Sequence, residues 1–338
     1  MKAVGLYRYL PIDHPESLVD VEVETPHATG HDLLVRVQAV SVNPVDTKVR
    51  APKDEVENEP KILGYDVAGI VEAVGPDVTL FQPGDEVYYA GSITRQGGNS
   101  EFHLVDERIV GKKPGNLSFA EAAALPLTTL TAWEALFDRL EIPIESPENK
   151  DKSMLIISAA GGVGSIATQL AKKAGLNVIG TASRTETSDW AKRHGADHII
   201  NHYEPLAPQL KEIGFETVDY IFCLNATDKH WDGMVEVIAP QGKICGIAET
   251  KDPLPLSDLQ QKSATFVWEF MFTRAMFQTS DMIEQHHILT NVSQLVETGS
   301  VVSTVTETLS PINAANLRKA HQKVEAGDMI GKIVVADM

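Results

Sequence analysis

The run Ser158-Ala159-Ala160-Gly161-Gly162-Val163-Gly164 follows the apolar stretch Met154-Leu155-Ile156-Ile157 and opens a segment with helical periodicity. A glycine turn at a helix start leaves backbone N–H groups with no side chain in front of them, an arrangement suited to a pyrophosphate. Val163, Ile166, Ala167, Leu170, Ala171 and Ala174 fall on one face. Lys172 and Lys173 sit in the last turn ahead of Gly175, where they oppose the negative end of the helix dipole. Ala159 holds the first glycine position of the usual GxGxxG pattern, so the motif by itself also fits a tight turn that binds nothing. Its surroundings favour the ligand. Residues 176–181 resume as a strand, which completes a βαβ unit, and strands are expected again at 198–201, 218–224 and 242–248. A doubly wound parallel sheet carrying a dinucleotide follows.

The tip of the second strand selects the dinucleotide. A free ribose 2′-hydroxyl is usually gripped by a carboxylate about 20 residues past the glycines. Here Asn177-Val178-Ile179-Gly180-Thr181 runs into Ala182-Ser183-Arg184 instead, and Glu186 and Asp189 come later, in the next helix. Ser183 can hydrogen-bond a 2′-phosphate and Arg184 can pair with one in a fork, which points to NADPH; the competing reading of Arg184 is a solvated surface charge. Carboxyl ends of parallel strands bind ligands in this sheet type. His202 after the third strand, Asn225 after the fourth, and Gly246 and Ile247 at the end of the fifth therefore join Gly161, Gly162, Val163 and Gly164 as expected cofactor contacts.

The formal charge of −18 over 338 residues disfavours nucleic acid and anionic membrane surfaces as partners. No apolar stretch reaches the length of a membrane span, and the N-terminus lacks a signal-peptide core, so a cytoplasmic protein is expected. Cys223 and Cys245 each fall within an expected buried strand and read as small hydrophobes rather than a disulfide. The first third has another texture: short alternating segments at 33–39, 66–74 and 86–90, punctuated by Gly and Pro, describe a mainly antiparallel β domain. Residues 51–60 read as a charged, mobile loop. A capping box at Ser118-Phe119-Ala120-Glu121 starts helical periodicity that runs through 130–140. Later helices are expected at 281–298 and 313–326, with a closing strand at 333–336.

Several segments occur in an order that resembles a known family: Ser41-Val42-Asn43-Pro44-Val45-Asp46, Leu63-Gly64-Tyr65-Asp66-Val67-Ala68-Gly69, Phe81-Gln82-Pro83-Gly84-Asp85-Glu86-Val87, Ala123-Ala124-Leu125-Pro126, the 160–164 turn, and Gly331-Lys332-Ile333-Val334. The chain resembles the medium-chain dehydrogenase/reductase superfamily, in its quinone oxidoreductase and zinc-type alcohol dehydrogenase-like branch. The resemblance implies an α/β protein with a GroES-like β-rich catalytic domain over 1–124, completed by 266–338, and a Rossmann NADPH-binding domain over 125–265. It also implies a homodimer, and it places Lys332 and Thr131 with the cofactor. The Thr131 hydroxyl could equally back-bond to its own helix.

Zinc-dependent members of this superfamily have a Cys where this chain has Asn43, a His where it has Tyr65, and in many a Cys where it has Leu127; the four-cysteine structural lobe has no counterpart. Asn, Tyr and Leu do not make a zinc site, so no metal is expected. Removing an alcohol proton is work that zinc assists as a Lewis acid. Giving a hydride to a conjugated quinone or α,β-unsaturated carbonyl is easier, because hydrogen bonds can stabilise the charge that develops on oxygen. By the resemblance, Asn43 and Tyr65 face the vacated metal position, where either could hydrogen-bond a substrate carbonyl. The Tyr65 phenol is the better proton donor, and the alternative is a ring that plugs the empty site. Asp46 is expected to hold the loop. Lys48 stands where several quinone oxidoreductases have a tyrosine. Two rival readings remain: a metal-free alcohol or aldehyde oxidoreductase, and a non-enzymatic NADPH-binding protein.

Overall fold

A computed structural model describes residues 1–338. Period-two patterning in the first third produces β1 (Lys2–Arg8), β2 (Val19–Glu22), the long β3 (Asp32–Ser41), a short helix α1 (Pro44–Arg50), β4 (Val56–Ile62), β5 (Val67–Val74), β6 (Glu86–Tyr89), β7 (Phe102–Asp106) and β8 (Gly111–Lys112). Ser118 and Glu121 form the expected capping box at the start of α2 (Phe119–Ala123). The chain then breaks and restarts as α3 (Pro126–Trp133).

Two expectations are corrected in this stretch. Residues 51–60 are not simply a mobile loop, because the second half belongs to β4, which pairs antiparallel with β1. The Tyr9 phenol donates to Glu57 and the Lys53 ammonium lies 4.0 Å over the Tyr9 ring, so two of the segment's charges have partners that hold it to the sheet. The periodicity through 130–140 is also not one α-helix. After Trp133 the backbone widens into a π-helical segment, Glu134–Arg139, a form that often marks functional positions.

Past residue 150 the chain alternates strand and helix: β9 (Ser153–Ile157), α4 (Gly162–Lys173), β10 (Asn177–Thr181), α5 (Thr185–Arg193), β11 (His198–Ile200), α6 (Leu206–Glu212), β12 (Val218–Cys223), α7 (Thr227–Val237), β13 (Ile238–Gly246) and β14 (Thr265–Trp268). All pairings here are parallel, in the order β11-β10-β9-β12-β13-β14. The order reverses direction between β9 and β12, and such switch points are where open α/β sheets bind ligands. The strands are buried on both faces, as their unbroken Val, Ile and Leu runs require. Leu155, Ile157, Ile179, Ile221 and Ile244 form the centre of this core. Cys223, within it, and Cys245 are both buried and unbridged.

The remaining chain contributes α8 (Thr273–Phe277), α9 (Glu284–Glu297), β15 (Val305–Leu309), α10 (Ala314–Ala326) and β16 (Lys332–Ala336). Asn313 caps α10 through its side chain, accepting from Asn316 N at 2.8 Å. Strand β16 pairs with β3, joining a seven-stranded sheet in which β15-β16-β3-β5-β6-β8 is the path and β7 also pairs with β3. Two units result: Met1–Leu130 with Phe272–Met338, and Thr131–Met271. The first has its own core around Leu33, Val35, Val67, Val87 and Val335. No helix is long and apolar enough to cross a membrane.

Candidate active site

In the first unit, four polar side chains meet out of reach of water. Asp46, at the start of α1, accepts from Asn43 N at 2.8 Å and from Gly64 N at 3.0 Å. Asn43 donates through Nδ2 to the Tyr65 carbonyl at 3.1 Å and to Asp66 Oδ2 at 2.8 Å. Asp66 Oδ1 accepts from Leu127 N at 2.7 Å. The Lys332 ammonium, brought in at the head of β16, donates to Asn43 Oδ1, to Val42 O at 3.1 Å and to Asp66 Oδ2 at 3.2 Å. Burial pushes the Asp66 carboxyl up and the Lys332 ammonium down, and each holds the other's charge in place. Burial also lifts Asp46 to about 7, against the two backbone N–H groups and the nearby Lys332.

These bonds fix the backbone on either side of Tyr65. Gly64 has φ +111, a conformation that favours glycine, and a Cβ there would come within 2.5 Å of Asn99 Oδ1. The Tyr65 side chain is 1% exposed, edge-on to Phe272 at 5.5 Å between ring centres, and its hydroxyl has no hydrogen-bond partner. Burial, with Asp46 nearby, raises its pKa, so the phenol keeps its proton. An uncommitted buried hydroxyl is uncommon, and it is a group that a ligand can satisfy.

Asn43 and Lys332 are placed differently from the roles the sequence suggested. Both N–H donors of Asn43 are occupied by protein acceptors, and its carbonyl takes the Lys332 ammonium. An ammonium has three N–H donors, and all three of Lys332's point at protein oxygens, so none remains for a cofactor phosphate. Asp46 holds the loop.

In the second unit the glycine turn lies at the carboxyl end of β9. Gly161 is the N-cap of α4 and offers no side chain to the first-turn amides, and a Cβ on it would meet only Ser158 O, at 3.7 Å. Gly164 serves packing instead: its Cβ would come within 2.5 Å of Ser158 O and 2.7 Å of Ala159 O. Ser158 has φ +70, and Ala226, after the neighbouring strand β12, has φ +46. Left-handed non-glycine residues cost free energy and gather at binding sites. Ser158 is held by its N–H, which donates to Thr181 Oγ1 at 2.9 Å, and Thr181 Oγ1 in turn meets His202 Nδ1 at 3.1 Å. Ser183 and Arg184 are exposed at the N-terminus of α5, with Arg184 as N-cap. Asn225, Gly246 and Ile247 all follow or close strands at the same end of the sheet, and Thr131 is buried on α3. The residues present therefore fit a dinucleotide: open backbone donors at a helix start, a switch point, and a cation where a 2′-hydroxyl grip would carry a carboxylate.

Sequence reasoning missed Asp66, although it sits inside a quoted segment, because nothing in the local pattern shows that Leu127 and Lys332 converge on it. It also missed Ser158, Thr181 and His230; the His230 ring lies 6.3 Å from that of His202.

Comparison with known proteins supplies the family. Residues 29–134 match the alcohol dehydrogenase GroES-like domain and residues 162–285 the zinc-binding dehydrogenase family. A zinc-type alcohol dehydrogenase-like protein of Staphylococcus aureus is 47% identical over 335 residues, covering 99% of each chain. The chain belongs to the medium-chain dehydrogenase/reductase superfamily. Like the superfamily, it is an oxidoreductase. It is also similar to the quinone oxidoreductase of Lama guanicoe, 31% identical over 272 residues, covering 78% of this chain and 79% of that one. A crystal structure named for a zinc-dependent alcohol dehydrogenase of Rhizobium etli CFN 42 superposes with a TM-score of 0.95 at 51% identity, covering 100% of this chain and 98% of that one.

The family names imply zinc, and the side chains at the ligand positions do not fit it. Leu127 has no donor atom, Tyr65 is a phenol held neutral, and Asn43 is fully hydrogen-bonded, with an ammonium ion already on its carbonyl. No group of three His, Cys, Asp or Glu side chains is arranged to hold a metal. His286 and His287, adjacent in sequence, turn to different partners, Val110 O and Glu284.

The cluster makes a stability prediction. Lys332→Met leaves Asp66 buried without its cation and is expected to cost about 3–5 kcal/mol in urea unfolding. Adding Asp66→Asn should recover part of that loss. Equal additive losses from the two substitutions would show that the pair is not coupled.

Proposed function

We propose that the protein is a zinc-independent, NADPH-dependent oxidoreductase whose acceptor is a quinone or an α,β-unsaturated carbonyl. The observation that carries this reading is the Tyr65 phenol: buried, neutral, without a partner, on a loop pinned by Asn43, Asp46 and Asp66. A bound nicotinamide would supply the hydride. Tyr65 donates a hydrogen bond through its O–H to the substrate carbonyl oxygen, where negative charge develops. Asn43, Asp46, Asp66 and Lys332 act one step back: they fix the backbone from which that donor projects. The first-turn amides of α4, from Gly162 to Gly164, bind the pyrophosphate. Ser183 and Arg184 take the 2′-phosphate, and His202, held by Thr181, joins the adenosine side.

An acceptor that is already conjugated suits a site with one neutral donor and no Lewis acid among its side chains. The names of the zinc-type relatives favour the alcohol or aldehyde reading, and a panel of acceptors separates the two. The protein is read as cytoplasmic. A homodimer is supported by β14, an edge strand that leaves Thr265 and Trp268 exposed.

Two substitutions test the assignment. Tyr65→Phe removes only an oxygen with no protein partner, so stability should hold or improve while kcat for quinone or enone acceptors falls by about 10²-fold. An unchanged kcat would remove Tyr65 from the reaction. Ser183→Asp places a carboxylate where the 2′-phosphate is expected and should move the ratio of kcat/KM values from NADPH towards NADH; a ratio that does not move would contradict the cofactor assignment.

A further inference from the structure

The chain enters its second unit at Thr131 and leaves it at Met271. Just inside these two points lie two carboxyl groups that water does not reach. Glu134 opens the π-helical segment, Glu269 follows the last strand β14, and both side chains are 0% exposed. One cation serves both. Arg139 donates from Nε to Glu269 Oε2 at 2.9 Å, and its guanidinium lies 3.9 Å from Glu134 Oε2. The two ends of the π-helical segment, Glu134 and Arg139, thus face each other, and the same guanidinium also holds Glu269. Glu269 is also tied by its backbone, N–H to Gly246 O at 3.0 Å, to the carboxyl end of β13. Cys245 of β13 is the other titratable group near the pair; burial keeps its thiol protonated, so it adds no charge.

Two carboxylates in a water-free site with one partly exposed guanidinium would carry an excess negative charge, a costly state in a low dielectric. Both carboxyl groups lie against the one guanidinium, and Glu269 Oε1 is buried with no hydrogen-bond partner, an oxygen that a proton held between the two carboxyl groups would satisfy. We propose that Glu134 and Glu269 share a single proton in the folded protein, and that this proton fastens the first helical segment of the second unit to the end of its last strand. The three groups then sum to zero charge. Thr131 lies one helical turn before Glu134, and Gly246 is bonded to Glu269, so the clasp also sets two positions assigned to the cofactor side of the sheet. The proposal concerns the fold of this unit and does not rest on the substrate or the dinucleotide proposed above.

Burial, followed by the neighbouring Glu134 charge, lifts Glu269 from 4.5 to about 9. The folded state therefore keeps a proton that the unfolded chain releases. The stability it contributes is full below the unfolded value and is lost progressively as pH rises through the folded one. All four tryptophans, Trp133, Trp190, Trp231 and Trp268, lie in this unit, so their fluorescence reports its unfolding in the full-length protein. Glu269→Gln keeps a hydrogen-bond donor and cannot ionise. In urea titrations from about pH 5 to pH 9, the folding constant of Glu269→Gln relative to the wild type should rise with pH, approaching tenfold per unit, and level off near the top of the range. Glu269→Ala, which has no donor, should be less stable than Glu269→Gln throughout. A wild-type to Glu269→Gln ratio that stays constant with pH would overturn the shared proton. So would equal stability of the Gln and Ala variants. If Glu269→Gln does not fold, Glu134→Gln read the same way carries the same two outcomes. Infrared difference spectra at neutral pH add an independent reading: the wild type should show a protonated-carboxyl band that the folded Gln variant lacks, and no such difference would contradict the proposal.

Discussion

A lysine ammonium taken out of water constrains the chemistry of the whole first unit. Lys332 enters on the last strand, and its charge is tolerable only because Asp66, the Asn43 amide carbonyl and a backbone oxygen surround it. Those contacts bring together three segments distant in sequence: the start of α1, the loop before β5 and the C-terminal strand. Asp66 then reaches a fourth, the N-terminus of α3, through Leu127 N. Once these charges are matched, the loop around Tyr65 has little freedom, and the phenol hydroxyl is the polar group left without a protein partner. In this chain a hydrogen-bonded amide, a neutral phenol and a leucine stand at the positions where, by the resemblance, zinc-dependent members of the superfamily have ligands.

The second unit solves a different problem. Its parallel sheet is buried on both faces, and its ligand-binding capacity sits at strand ends, where the backbone departs from regular geometry. Ser158 and Ala226 hold left-handed conformations at the ends of the two strands that flank the switch point. The strain at Ser158 is countered by a hydrogen bond to Thr181, which also anchors His202. The glycine turn is therefore supported by β10 and β11 as well as by its own helix.

Much of this architecture was legible in the sequence because it depends on local rules. The βαβ unit around Gly161–Gly164, the cap at Ser118, and the helix and strand of the C-terminal tail all follow from periodicity and end signals. The ligand positions at Asn43, Tyr65 and Leu127 were readable by resemblance. What escaped was whatever depends on long-range convergence. Asn43 looks like a possible donor until Asp66 and Lys332 occupy its amide, and Lys332 looks like a cofactor ligand until its three donors are counted. The charged segment at 51–60 reads as a loop until Tyr9 provides partners for Lys53 and Glu57. The π-helical segment has an α-helical pattern, and its different winding is visible only in the folded backbone.

The central claim is that the reaction runs on a phenol, held in place by a buried ion pair, rather than on a metal. The most direct test measures zinc content per chain in protein purified without chelator, together with NADPH oxidation on quinones, enones and simple aldehydes before and after chelator treatment. The account predicts far less than stoichiometric zinc, turnover on a quinone or enone, and no loss of that turnover on chelation. One zinc per chain, with activity lost to the chelator and restored by zinc, would contradict it.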